Sequence, residues 1–194
     1  GVVIKIEEDI IGCTHPNATN YDETANVDDG SCEYETVQIG HQLWMTENLK
    51  ATHYRNGDEI DYYNANNNSS NSELLGKLYF GNAINDARGV CPEGFHVPSN
   101  DEFMQLEILL GMSESDAASI GWRGNDEGAK LAGDAELWNN LEITHSASFG
   151  NSGFSAEPGG RWHNGSFGNV YWEAYYWTST LDTENLDRMY NRNI

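Results

Sequence analysis

Basic residues are scarce in this chain. Ten lysines and arginines stand against 31 aspartates and glutamates among 194 residues, a formal net charge of -21. So acidic a surface repels nucleic acid and anionic membranes, and it favours solubility and divalent cations. Long apolar runs are missing as well. No stretch approaches the roughly 18 residues that a membrane-spanning helix needs, so no membrane insertion is expected. The chain starts at Gly1 rather than Met and carries no signal-peptide pattern, as expected of a mature product, a fragment or the ordered part of something longer. Catalytic signatures are also lacking: there is no G-x-S-x-G, H-E-x-x-H, P-loop or glycine-rich dinucleotide fingerprint. The histidines His15, His41, His53, His96, His145 and His163 are scattered without ligand spacing. The chain is therefore read as no enzyme.

Cysteines number only three. Cys13 and Cys32 bracket a turn-rich stretch, Gly12 to Tyr34, whose main apolar side chains are Tyr21 and Val27. So little apolar mass does not order a loop, and a Cys13–Cys32 disulfide is expected to close it, stabilising it by about 3 kcal/mol on the chain-entropy model. The loop is crowded with hard oxygen donors: Asn17, Asn20, Asp22, Asn26, Asp28 and Asp29, with Gly30 for a sharp turn. Calcium takes six to eight such oxygens, and these six residues are the candidate calcium ligands. No glutamate stands at an EF-hand's twelfth position. The alternative is a stapled loop in which each Asn or Asp side chain bonds its own backbone. His15 reads as a solvent-exposed turn residue.

What the chain does have is 20 glycines, ten tyrosines, six tryptophans and six phenylalanines, the makings of a loop-rich fold with aromatic packing. Its best helix signal follows Pro98. Ser99 is an N-cap, Glu102 completes a capping box, and Phe103, Leu106 and Leu110 recur at helical spacing before Gly111. Ser113 with Asp116 makes a weaker box, and 126–131 suits one more helical turn. TVQI and QLWM around Gly40-His41 suggest a hairpin with Trp44 in the core. NANNNSSNS, within 62–72, reads as a mobile polar loop, and Leu74 to Ala87 as a short strand or helical turn. Trp122 and Trp138 are expected to fill the core at helix ends. YWEAYYWTST alternates as a strand would, with aromatics on both faces.

The run CPEGFHVPSNDEF resembles the signature of the Fibrobacter succinogenes major paralogous domain, an extracellular bacterial module. IGHQLWMTENLKATHYRNGDEI, GKLYFGNAINDARGVCP, NSGFSAEPGGRWHNGSFGN and YYWTST follow the same pattern in order, so the resemblance covers roughly 35–194. It implies an α+β, C-type-lectin-like, loop-rich fold, with small antiparallel sheets and one main capped helix at about 99–110. That fold is shared with formylglycine-generating enzymes, but their oxidase needs a cysteine pair near the C-terminus and no cysteine follows Cys91. The stretch GCT…DDGSC separately resembles a short calcium-loop-like repeat of secreted bacterial proteins. The family also implies a partner for Cys91 in a final strand; the sequence ends at Ile194 without one, so either that strand is lacking or Cys91 is a free thiol.

The expected organisation is a strand or linker over 1–11, the disulfide-closed loop over 12–34, and the family domain over 35–194. C-type lectins hold sugar through calcium with Glu-Pro-Asn and a later Trp-Asn-Asp. Here only Glu157-Pro158 matches the first, and Thr178 and Ser179 follow Trp177, so that site is not expected. Sugars also stack on aromatic faces, and Trp162, His163, Trp172 and Trp177 are the candidate ligand-binding residues; the alternative is that they form an aromatic core. The function expected is a secreted, non-enzymatic cell-surface module binding a glycan or another extracellular ligand. The alternative is a structural subunit of an adhesin or filament, in which VVIKI of one chain completes a sheet edge of the next.

Overall fold

The computed structural model describes residues 8–181 and 189–194. The VVIKI segment, and with it the strand-addition idea, lies outside the described residues. Contacts divide the chain into two compact units, one ending at Glu35 and one running from Thr36 to Ile194.

The first unit is held by few elements. β1 (Ile11–Gly12) pairs in parallel with β2 (Val27–Asp28), and Cys13 and Cys32 are disulfide-bonded as expected. Cys13 is the buried centre of the loop, at 2% exposure, beside buried Ala18 and Asn17. His15 is not an exposed turn residue. It is half-buried, packs edge-on against Tyr34 with ring centroids 5.4 Å apart, and accepts a hydrogen bond from the Asn17 N–H at Nδ1.

The second unit mixes helices with small two-stranded sheets. β3 (Thr36–Ile39) and β4 (Gln42–Met45) form the expected antiparallel hairpin, with Val37 opposite Trp44. β5 (Tyr62–Asn64) pairs with β6 (Lys77–Tyr79), also antiparallel. Between them the polar run is no mobile loop: α1 (Ser69–Leu75) is a helix capped by the Asn68 side chain, which accepts from the Ser70 N–H. Its helical turn buries Leu75 at 2% and turns Asn71 and Ser72 inward. There the Asn71 amide donates to the Ala65 carbonyl at 2.9 Å and its oxygen accepts from the Tyr171 hydroxyl at 3.0 Å. Buried partners for polar side chains are what a composition-based loop assignment cannot see.

After α2 (Gly81–Ile84) comes α3 (Asn100–Leu109), the longest helix among the described residues, with the full capping box: Glu102 N–H donates to Ser99 Oγ, and Ser99 N–H donates back to the Glu102 carboxylate at 2.7 Å. α4 (Glu114–Ala117) starts at the second cap, Ser113, and α5 (Glu127–Leu131) and α6 (Leu141–Thr144) are single turns. β7 (Arg161–His163) and β8 (Ser166–Gly168) form a hairpin, and β9 (Tyr175–Leu181) pairs with β10 (Met189–Asn193). The aromatic strand is thus shorter than its alternation suggests. Tyr171 takes φ 69°, and 169–173 turns before Tyr175.

The main core joins Phe103 and Leu106 of α3 to Ile39, Leu131, Trp138, Phe154 and Ile194. Trp44 packs on Phe103 and Phe154 at 5.8 and 5.4 Å, and the Trp138 indole N–H donates to the Gly133 carbonyl at 2.8 Å. Trp122 is a correction: it is 78% exposed, next to Ile120 at 92%, because it lies in the loop between α4 and α5 and not at a helix end facing the core. The C-terminal Met189–Asn193 is strand β10, and Ile194 exchanges both backbone hydrogen bonds with Ala174. Cys91 is a free, half-buried thiol, and burial pushes it up to about 11. A thiol held protonated is a poor nucleophile.

Candidate functional site

The β7–β8 hairpin presents the candidate site. Asn164 and Gly165 form its two-residue turn, both with positive φ (49° and 83°), the pattern of a type I′ turn. Gly160 lets the hairpin start close against its neighbour: φ is 66°, and a Cβ there would lie 2.5 Å from the Gly168 carbonyl oxygen. Strand alternation then puts Trp162 and Phe167 on one face as a cross-strand pair.

That face carries four rings. Trp162 stacks on Tyr63 with centroids 4.8 Å apart and planes 24° from parallel, and it meets Phe80 edge-on at 6.2 Å. Tyr63 in turn touches Phe80 and Phe167 at 5.1 and 6.0 Å. Tyr63, Phe80 and Phe167 are half-buried, whereas Trp162 caps the stack and remains 36% exposed. Each aromatic pair adds about 0.5–1.5 kcal/mol beyond its buried area, so three contacts fix Tyr63 under the indole. The result is a flat apolar surface open to solvent and backed by a rigid one.

The hairpin's opposite face is polar. Arg161 lies over the Tyr175 ring at 5.2 Å. The Tyr175 hydroxyl donates to Glu173, and the Asn169 amide donates to Glu173 Oε1 at 2.9 Å. Burial, then the hydrogen bond to Glu173, holds the Tyr175 hydroxyl above its ordinary value.

Of the four residues picked from the sequence, Trp162 alone joins the ring stack among the described residues. His163 follows Trp162 in the hairpin and is exposed. Trp172 is 53% exposed in the turn before β9. Among the described residues, no ring contact joins Trp172 or Trp177 to the Trp162 stack. Trp177 is half-buried, and its indole N–H donates to the Tyr79 carbonyl at 3.0 Å, so it ties β9 to β6. Tyr63 and Phe80, the backing of the stack, were missed because they lie 99 and 82 residues upstream of Trp162. The hairpin itself had a signal, the Asn164-Gly165 pair.

The six calcium candidates do not converge either. Among the described residues, no group of three His, Cys, Asp or Glu side chains is placed to hold a metal ion. Local turns occupy the donors instead. Asp22 accepts from the Thr24 N–H and hydroxyl, Asp28 from the Gly30 N–H, and Asp29 from the Ser31 N–H. Asn26 bonds the Ile10 N–H at 2.8 Å, and Asn20 bridges Ser31 and Glu33. Hydrogen bonds from Thr24 and Ser31 hold the Asp22 and Asp29 carboxyls below the usual range. Asn17 is buried within the loop. Asp22, Asp28 and Asp29 thus each serve a local turn, as in the Asx-turn alternative.

A concave feature unforeseen in the sequence lies elsewhere in the second unit. A cleft of about 430 Å³ opens beside Trp122, lined by residues of 107–146 together with Asn193 and Ile194. At its base Glu107 binds two guanidinium groups: Arg123 Nη2 at 2.6 Å and Arg192 Nη1 at 2.9 Å. Burial pushes the Glu107 carboxyl up and the Arg192 guanidinium down, while their mutual attraction opposes both shifts.

The chain matches the family model of the Fibrobacter succinogenes major domain over residues 37–193. It belongs to that family. The match spans the second unit from β3 to β10 and thus includes the Trp162 stack and the cleft, while the disulfide-closed loop lies outside it. No curated protein and no solved structure matches the chain.

Proposed function

We propose that this member of the Fibrobacter succinogenes major domain family is an extracellular, non-enzymatic module with a C-type-lectin-like fold that binds glycans at the cell surface. The observation that carries the reading is Trp162: a solvent-open indole held flat on Tyr63 at 4.8 Å, at the end of an exposed hairpin. A pyranose ring has one face of C–H groups, and it stacks on such a surface while its hydroxyls stay in water. The stack is preorganised, so little side-chain entropy is lost on binding. The net charge of -21 favours neutral over acidic glycans. The disulfide of the first unit suits an oxidising, extracellular setting.

The test is binding to an array of immobilised polysaccharides and oligosaccharides by the native chain and by Trp162→Ala and Trp177→Phe variants. Trp162→Ala is expected to weaken binding about tenfold or more, the weight of one aromatic contact. Trp177→Phe, which alters an internal tie, is expected to leave affinity unchanged if the fold is kept. Equal binding by the folded Trp162→Ala variant removes the proposal.

A further inference from the structure

The cleft beside Trp122 has the parts of a second binding site. Trp122 is 78% exposed on its wall, an indole that no packing requirement explains. Arg123 lines the same cleft with its side chain only 10% exposed, and it is incompletely satisfied: Nη1 donates to the Gly121 carbonyl at 3.1 Å and Nη2 to Glu107, but Nε is buried with no partner among the described residues. Two of its five N–H groups are thus satisfied, one on each Nη, so the guanidinium keeps donors for an oxygen ligand. Around it stand amide and carboxylate side chains, Asn125, Asn140, Asp126 and Glu142. Asp126 is paired to Lys130 at 2.8 Å, and Arg123 to Glu107, so the cleft carries no unspent positive charge to attract an anion.

These features select a ligand chemistry. Arg123 keeps Nη donors beyond those given to Gly121 and Glu107, and they need an acceptor, which a cation does not provide. The carboxylates of Glu142 and Glu127 disfavour an anionic ligand. The exposed indole needs an apolar face. A neutral sugar ring meets all three conditions, since a hydroxyl both accepts from Arg123 and donates to a carboxylate. We infer that the cleft binds one ring of a neutral saccharide, its C–H face on Trp122 and its hydroxyls directed to Arg123, Asn125 and Glu142. The site is separate from the Trp162 hairpin and rests on the glycan reading for its ligand class.

The six tryptophans of the chain allow the two sites to be read separately. Indole N–H signals of the isotope-labelled, full-length protein are assigned with single Trp→Phe variants. Neutral disaccharides (cellobiose, maltose, lactose and xylobiose) and the acidic digalacturonate are then titrated in. At least one neutral disaccharide is expected to shift the Trp122 signal at saturation, and digalacturonate to bind there at least tenfold more weakly. Trp122→Ala, at an exposed position where folding is not at risk, is expected to abolish the sugar-induced shifts of the Arg123 and Asn125 backbone amide signals while the Trp162 response persists. Arg123→Lys keeps the charge on Glu107 but lacks the spare Nη donors, and it is expected to weaken the cleft site about tenfold. Movement of Trp162 alone overturns the inference and leaves the hairpin reading standing. Movement of Trp122 alone supports the cleft and counts against the hairpin. No Trp122 shift with any neutral disaccharide, or equal binding of digalacturonate, overturns the proposal.

Discussion

At the residue scale, Glu157 shows how burial sets chemistry. It precedes Pro158 beside the Asn48 hub, where the Asn48 amide donates to the Glu157 backbone carbonyl at 2.9 Å and its oxygen accepts from the Tyr176 hydroxyl. Its own carboxyl oxygen Oε2 is buried without a partner among the described residues. Burial pushes this carboxyl up to about 7, with Lys50 opposing and Glu47 and Asp134 adding to the shift. Between the ordinary value of 4.5 and about 7, the folded chain holds a proton that the unfolded chain releases. Stability therefore falls as pH rises through that window. Glu157→Gln is expected to stabilise the protein by about 1–3 kcal/mol at pH 8 and to change little at pH 4. Urea melts at both pH values check this; an equal effect at the two pH values contradicts it. None of this was legible beforehand, since a Glu-Pro pair in the sequence says nothing of what encloses its carboxylate.

At the element scale, the sequence was most informative where a local signal dictates a local structure. α3 begins at Ser99 and carries its capping box because those contacts need only neighbours three residues apart. Ser99→Ala removes the side-chain half of the box, leaving the backbone N–H at 99 to donate to Glu102, and is expected to destabilise the protein by about 1 kcal/mol, with Ser99→Gly costing only a few tenths; thermal melts of the two variants decide it. The hairpin at Gly40-His41 was legible for the same reason. α1 was not, because its asparagines and serines look like a loop until Ala65 and Tyr171 are seen to satisfy Asn71. Trp122 misled in the opposite sense: tryptophan usually belongs to a core, but here it stands on an exposed loop beside a cleft. The Trp162 stack was half legible. Its exposed indole could be named, while the rings that hold it come from β5 and the residue after β6, which alternation within β7 cannot reveal.

At the scale of the whole molecule, the chain is two units of unequal self-sufficiency. The second has three apolar clusters, around Phe103, Tyr54 and Leu75, and enough length for an independent core. The first relies on a disulfide and Asx turns. A chain starting at Thr36 is expected to melt cooperatively with its stability little changed by reductant, whereas reduction of the full chain is expected to raise amide exchange in 12–34 alone. Exchange that spreads into 36–194 on reduction contradicts that independence. Both proposed binding surfaces lie within the family domain, and the proposed function turns on Trp162 more than on any other residue. The most direct measurement is a crystal structure of the protein with an oligosaccharide identified by array binding. A sugar ring lying parallel to the Trp162 indole, on the side away from Tyr63, is the predicted result. A bound oligosaccharide that leaves the Trp162 face bare contradicts it.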